Sequence, residues 1–184
     1  ALPGLAADAG LAGLIEAVVD QHPGLQAPPV PLLPTQLDLA GVNAQFAAAG
    51  VDLPVGVVPI GVGESDLAPV LLDFTARHHL LVLADVEHGK TTVLATLASG
   101  LVAGADPTQA KLVVVDYRRT MLGRVPDSHR AGYVSSAASA GPMMAELATL
   151  LEGRLPPDDV TPAQLAARAW WSGPDIYLFV DDYD

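Results

Sequence analysis

From residue 79 onward, apolar runs alternate with helical periodicities. His79-Leu80-Leu81-Val82-Leu83 is a β-prone run and predicts a strand. Between Thr92 and Val102, the residues Val93, Leu94, Leu97, Leu101 and Val102 recur at helical spacing. Leu112-Val113-Val114-Val115 is continuously apolar and ends at Asp116, the pattern of a parallel-sheet strand covered on both faces. Gly132-Tyr133-Val134 predicts a short strand. Pro142 to Leu155 predicts a helix with Met143, Met144, Leu147, Leu150 and Leu151 on one face, its methionines in the core. Thr161-Pro162 reads as an N-cap followed by proline at the first helical position, opening a helix to Trp170. A last strand runs through Ile176-Tyr177-Leu178-Phe179-Val180. The β-α-β order predicts an α/β fold, a mainly parallel sheet flanked by helices.

The first 78 residues carry weaker patterns. Leu11, Leu14, Ile15, Val18 and Val19 follow helical spacing until His22-Pro23-Gly24 stops the run. Residues 23–36 are proline-rich, and each X-Pro pair is biased away from helix. Residues 1–36 therefore read as a linker helix with a proline-rich extension, and 37–184 as the folded domain. A short helix is predicted through Leu39, Val42 and Phe46, ended by Gly50. Val55–Val62 and Val70–Phe74 predict a β-hairpin, with Pro59 and Pro69 assigning it to an edge.

Composition removes several functions. The chain has 184 residues, a net charge of −12 and no cysteine, so disulfides, thiolate metal sites and cysteine catalysis are excluded. An acidic surface opposes nucleic-acid binding, which needs a basic footprint. No apolar run approaches the roughly 20 residues of a membrane span.

Between the run at 79–83 and the helix after it lies Ala84-Asp85-Val86-Glu87-His88-Gly89-Lys90-Thr91-Thr92. This is the phosphate-binding pattern GxxxxGK[ST] with alanine at its first glycine, in the strand-turn-helix context the pattern requires. Backbone N–H groups at a helix N-terminus surround a phosphate, and the helix dipole favours the anion. Lys90 is then the residue for the β- and γ-phosphates of ATP, and Thr91 a ligand of Mg²⁺. Lys90 is one of only two lysines in the chain. Ala84 adds a Cβ where glycine leaves the backbone free, and Asp85 and Glu87 bring like charge toward a polyphosphate. An ordinary turn with Lys90 in solvent is the competing reading.

The last strand ends in Asp181-Asp182, a Walker B pattern. Asp181 is expected to hold Mg²⁺ beside Thr91. Asp182 stands where many such ATPases place a water-orienting glutamate, and is one methylene shorter. An error near ~1 Å in such a position costs on the order of 100-fold in rate.

Four stretches together resemble the EccC family, the FtsK/SpoIIIE-type ATPases of type VII (ESX) secretion. They are the hairpin leading into 79–83, Val115-Asp116-Tyr117-Arg118-Arg119, Trp170-Trp171-Ser172-Gly173-Pro174-Asp175, and Val180-Asp181-Asp182-Tyr183-Asp184. The resemblance covers about residues 25–184 and is to a C-terminal member of the tandem ATPase array. It implies a RecA-like P-loop fold that here ends after the Walker B strand, and binding of ATP and Mg²⁺ with weak hydrolysis in isolation. It further implies recognition of secreted WxG-class heterodimers through a C-terminal export signal. Other EccC ATPase domains and the secretion membrane complex are the remaining implied partners, at the cytoplasmic face of the membrane. A catalytically silent, nucleotide-stabilised binding module is the alternative, and a DNA translocase domain or a small-molecule kinase are weaker ones. The role of the Asp116–Arg119 stretch stays open.

Overall fold

A computed structural model of the protein describes residues 10–24, 30, 32–167 and 170–182. The chain divides into two units, Ala1–Leu32 and Leu33–Asp184. In the first unit, helix α1 (Gly10–Gln21) takes the predicted apolar run. Residues 1–9 of that expected helix, and residues 25–29 and 31 of the proline-rich segment, lie outside the described residues. So do residues 168–169 of the helix expected to reach Trp170, and Tyr183 and Asp184.

The second unit begins with α2 (Leu39–Ala48), whose N-cap Asp38 accepts a hydrogen bond from the Gly41 amide at 2.6 Å. Capping by aspartate satisfies one of the first-turn amides and fixes where the helix starts. The hairpin forms from β1 (Val57–Val62) and β2 (Pro69–Asp73), antiparallel, with a bulge between Pro59 and Gly61. It is a two-stranded sheet of its own, so Pro59 and Pro69 both sit on edges, where a missing N–H is tolerated.

Helix α3 (Lys90–Ala103) follows the phosphate-loop pattern. The parallel sheet has the order β4-β3-β5, formed by β3 (Ala110–Asp116), β4 (Arg130–Val134) and β5 (Asp175–Asp181). β3 is central and largely buried, as its unbroken apolar run predicts. Its C-terminal residue pairs in register with that of β5, Asp116 opposite Asp181. Leu97, Ala98 and Leu101 of α3 pack with Val58 of β1, Leu112 and Val114 of β3, and Phe179 of β5 in one core. Met121 and Val125, from the loop after β3, close the same core.

Three expectations need correction. The run at 79–83 forms no strand, and Leu80, Leu81 and Leu83 are exposed. The run carries β propensity, but no described strand pairs with it, and propensity without a ladder does not make a strand. Helix α4 spans Ala137–Glu152, five residues earlier than expected, from N-cap Ser136. Pro142 lies inside it, where the helix loses one backbone donor rather than starting there. Met143 and Met144 are half-buried and Leu150 and Leu151 exposed, so this face is only partly covered. Helix α5 (Pro162–Ala167) keeps the predicted cap. The Thr161 amide donates to Gln164 Oε1 at 3.0 Å, and the Gln164 amide to Thr161 Oγ1 at 3.3 Å.

Candidate nucleotide site

Gly89 precedes α3 with φ at 83°, the left-handed conformation that glycine adopts without a Cβ penalty. This residue makes no side-chain cap. The first bond into the helix runs from the Val93 amide to the Gly89 carbonyl at 3.0 Å. The amides of Lys90, Thr91 and Thr92 therefore precede any intrahelical acceptor and face out of the helix N-terminus, together with its partial positive charge.

The ammonium of Lys90 folds back over the loop. It donates to the carbonyls of Ala84 at 2.9 Å and Asp85 at 3.1 Å, closing residues 84–90 into a ring. His88 Nδ1 lies 2.8 Å from the Val86 carbonyl inside it. This is not a lysine directed into bulk water. Ala84 is absent from the residues with positive φ, so its Cβ meets no left-handed backbone and the replacement of glycine fits. Glu87 does take positive φ, at 63°. Asp85, Val86, Glu87, His88 and Thr92 are exposed, and solvent screens the two carboxylates.

The two motifs meet. The Thr91 hydroxyl donates to Asp181 Oδ2 at 2.8 Å, joining the first turn of α3 to the end of β5 across ninety residues of sequence. Asp181 is 4% exposed. A hard cation prefers oxygen ligands, and Mg²⁺ typically takes one or two carboxylates plus phosphate oxygens and water. One hydroxyl and one buried carboxylate beside open helix amides fit that requirement. Among the described residues, no cluster of three or more His, Cys, Asp or Glu side chains forms a fuller metal cage.

Asp182 lies just beyond the Thr91–Asp181 contact. It follows β5 with φ at 53°, and its carboxylate pairs with Arg118 Nε at 3.1 Å.

The loop after β3 supplies residues that sequence reasoning left unassigned. Asp116 is 1% exposed and accepts hydrogen bonds from the Thr120 amide at 3.1 Å, the Met121 amide at 2.6 Å and the Tyr133 hydroxyl at 2.6 Å. Burial pushes its carboxyl pKa up, but the donors of Tyr133, Met121 and Thr120 together hold it below the usual value. Burial and the bond to Asp116 push the Tyr133 phenol up to about 12. Thr120 Oγ1 lies 2.7 Å from Asp181 Oδ2. A signal for Asp116 was present, because both apolar strands end alike, Val-Val-Asp at 116 and Phe-Val-Asp at 181.

Residues 43–155 match the FtsK/SpoIIIE family model. The chain is 46% identical over 158 residues to the ESX-4 secretion system protein EccC4 of Mycobacterium tuberculosis, covering 86% of this chain and 12% of that protein. It is 37% identical over 175 residues to the ESX secretion system protein EccC of Thermomonospora curvata, covering 95% of this chain and 13% of that one. The chain thus spans about an eighth of the length of these relatives. Among solved structures it is similar to Thermomonospora curvata EccC, ATPases 2 and 3, in complex with a signal sequence peptide. The TM-score there is 0.72 at 37% identity, over 95% of this chain and 30% of that one. With that family model matching more than half of its residues, and with these relatives alongside, the chain belongs to the FtsK/SpoIIIE family.

Proposed function

We propose that residues 37–184 act as a Mg-ATP-binding domain of a type VII secretion ATPase of the EccC kind. The observation that carries this is the 2.8 Å contact between Thr91 and Asp181, which brings the helix N-terminus and the strand-end carboxylate to one point. Lys90 and the amides of the first turn of α3 bind phosphate oxygens, and residues 84–89 wrap them. Thr91 and Asp181 hold Mg²⁺, which when bound neutralises charge on the phosphates. Lys90 already faces the inside of the loop, so it exchanges carbonyl partners for phosphate without a large side-chain rearrangement.

Hydrolysis is slow in this reading. Asp182 is the candidate water-orienting carboxylate, but it is short and engaged by Arg118. That ion pair also favours the second reading, a catalytically silent module in which nucleotide only stabilises the fold. A DNA translocase is disfavoured by the net charge of −12.

The similarity to an EccC structure containing a signal sequence peptide supports the partner proposed here, the C-terminal export signal of a secreted WxG-class heterodimer. Neighbouring EccC ATPase domains and the membrane complex are the other proposed partners, at the cytoplasmic face of the membrane. No helix among the described residues is long and apolar enough to cross a bilayer.

Calorimetric titration of Mg-ATP tests the site. Lys90→Ala removes the ammonium from the loop, and affinity falls at least about tenfold, or ~1.4 kcal/mol. Equal affinity of wild type and variant refutes the assignment. Parallel titrations with an export-signal peptide, a scrambled peptide and duplex DNA test the partner. Binding of DNA but not of the signal peptide reverses the ranking.

A further inference from the structure

The loop after β3 reaches the strand-end carboxylate through one side chain. Asp116 and Asp181 stand side by side at the ends of paired parallel strands, and both are buried. Two ionised carboxylates so placed repel unless donors separate them. Thr120 lies between them, with Oγ1 at 3.2 Å from Asp116 Oδ1 and 2.7 Å from Asp181 Oδ2. A hydroxyl has one proton to give. Asp116 is already supplied by the Thr120 amide, the Met121 amide and the Tyr133 hydroxyl. The Thr120 proton therefore goes to the shorter contact, Asp181.

Asp181 Oδ2 then accepts from two hydroxyls, those of Thr91 and Thr120. The two donors differ in kind. Thr91 belongs to the nucleotide loop, and its oxygen is itself a proposed metal ligand. Thr120 belongs to a loop anchored in the core by Met121, which is 1% exposed. The Thr120 amide donates to Asp116, outside the nucleotide loop.

We infer that Thr120, held by Asp116, is a positioning residue that fixes the Asp181 carboxylate in the orientation needed to take a divalent cation. The inference rests on the nucleotide-site reading above and assigns a role to the Asp116-to-Met121 loop. A donor fixed behind a metal-binding carboxylate orients it and removes the cost of ordering it when the ion arrives.

The test separates metal positioning from general support of the fold. ADP affinity is measured calorimetrically on the full chain, in excess Mg²⁺ and in EDTA, for wild type, Thr120→Val and Thr120→Ser. The ratio of the two affinities reads the contribution of the metal. Thr120→Val keeps the shape and loses the hydroxyl, and the ratio falls by about tenfold while the EDTA affinity holds. Thr120→Ser keeps the hydroxyl and retains the wild-type ratio. An unchanged ratio in Thr120→Val overturns the inference. So does a parallel loss in both conditions, or a serine variant as impaired as the valine one. If circular dichroism shows Thr120→Val unfolded, Thr120→Ala takes its place with the same criteria. A wild-type chain that binds no nucleotide in either condition overturns the site itself, and this inference with it. Intact Mg²⁺ dependence in wild type beside an unaffected valine variant overturns this inference alone.

Discussion

Gly100 sits inside α3, one turn from its end, where glycine is a poor choice by propensity, costing roughly 1 kcal/mol relative to alanine. The packing explains it. A Cβ at residue 100 would meet Val58 Cγ1 well inside the 3.0 Å that real Cβ atoms respect, and would lie 3.5 Å from Val58 Cβ and 3.6 Å from its Cγ2. Val58 is 0% exposed and β-branched, so it has little room to turn away. Gly100→Ala therefore sets about 3 kcal/mol of overpacking against about 1 kcal/mol of helix propensity, a net loss near 2 kcal/mol. With a urea slope of about 2 kcal/mol/M, the unfolding midpoint drops by about 1 M. Val58→Ala removes the colliding methyl and leaves the Cβ at an ordinary contact distance. In that background, Gly100→Ala has only the propensity term and becomes stabilising by about 1 kcal/mol. The sign reversal, read by urea unfolding followed by far-UV circular dichroism, is the expected outcome. Equal destabilisation in both backgrounds, or no effect in the wild type, refutes the reasoning. Gly132→Ala serves as the contrast: its Cβ would meet the end of Met143, with Sδ at 2.8 Å, and that flexible side chain can move.

Two further predictions concern the site. Phosphate release by the wild-type chain stays far below about 10 s⁻¹, the median of ordinary enzymes. Asp182→Glu raises it, whereas Ala84→Gly leaves it unchanged because Ala84 has no positive φ to relieve; turnover near that median in the wild type contradicts this. The Asp116–Tyr133 pair makes stability depend on pH at both extremes. Tyr133 has a raised folded pKa, so its contribution is complete below 10.0 and is lost as pH climbs to about 12. Asp116 has a lowered one, so its contribution is present above its ordinary value of 3.8 and disappears as acid protonates the folded carboxylate. Urea unfolding of Tyr133→Phe between pH 9 and 12 should show a flatter alkaline limb than wild type, and identical limbs would exclude the pair as its source.

Much of the candidate site is legible in the sequence because its signals are local. Gly89, Lys90 and Thr91 mark a helix N-terminus by themselves, and Asp181 marks the end of an apolar strand. What lay beyond reach depends on partners distant in sequence. Residues 79–83 carry strand propensity, yet a strand exists only where a ladder partner lies alongside, and that partner is not encoded in the run. Thr120 has no local pattern at all, since its meaning comes from Asp181, sixty-one residues away. The start of α4 differs from the sequence expectation for another reason. Pro142 imitates a first helical residue, and the true N-cap, Ser136, is weaker punctuation; its hydroxyl makes no cap bond to the helix backbone.

The beginning of β5 governs what happens at its end. The Asp175 amide donates to the Gln109 carbonyl at 2.7 Å, and Gln109 is held by its own side chain, which accepts from the Asp106 amide at 2.9 Å. Just upstream, the Trp170 indole donates to the Arg154 carbonyl at 2.8 Å, and the Arg154 guanidinium lies 4.3 Å over the Trp171 ring. These contacts set the reading frame of the strand. Side chains alternate along β5, so a slip of one residue against β3 exchanges its two faces. Asp182 would then stand where Asp181 meets Thr91 and Thr120, while Asp181 would turn to the other face. The anchored start of β5, about 20 Å along the strand from Asp181, thus decides which of two adjacent and chemically identical carboxylates meets Thr91.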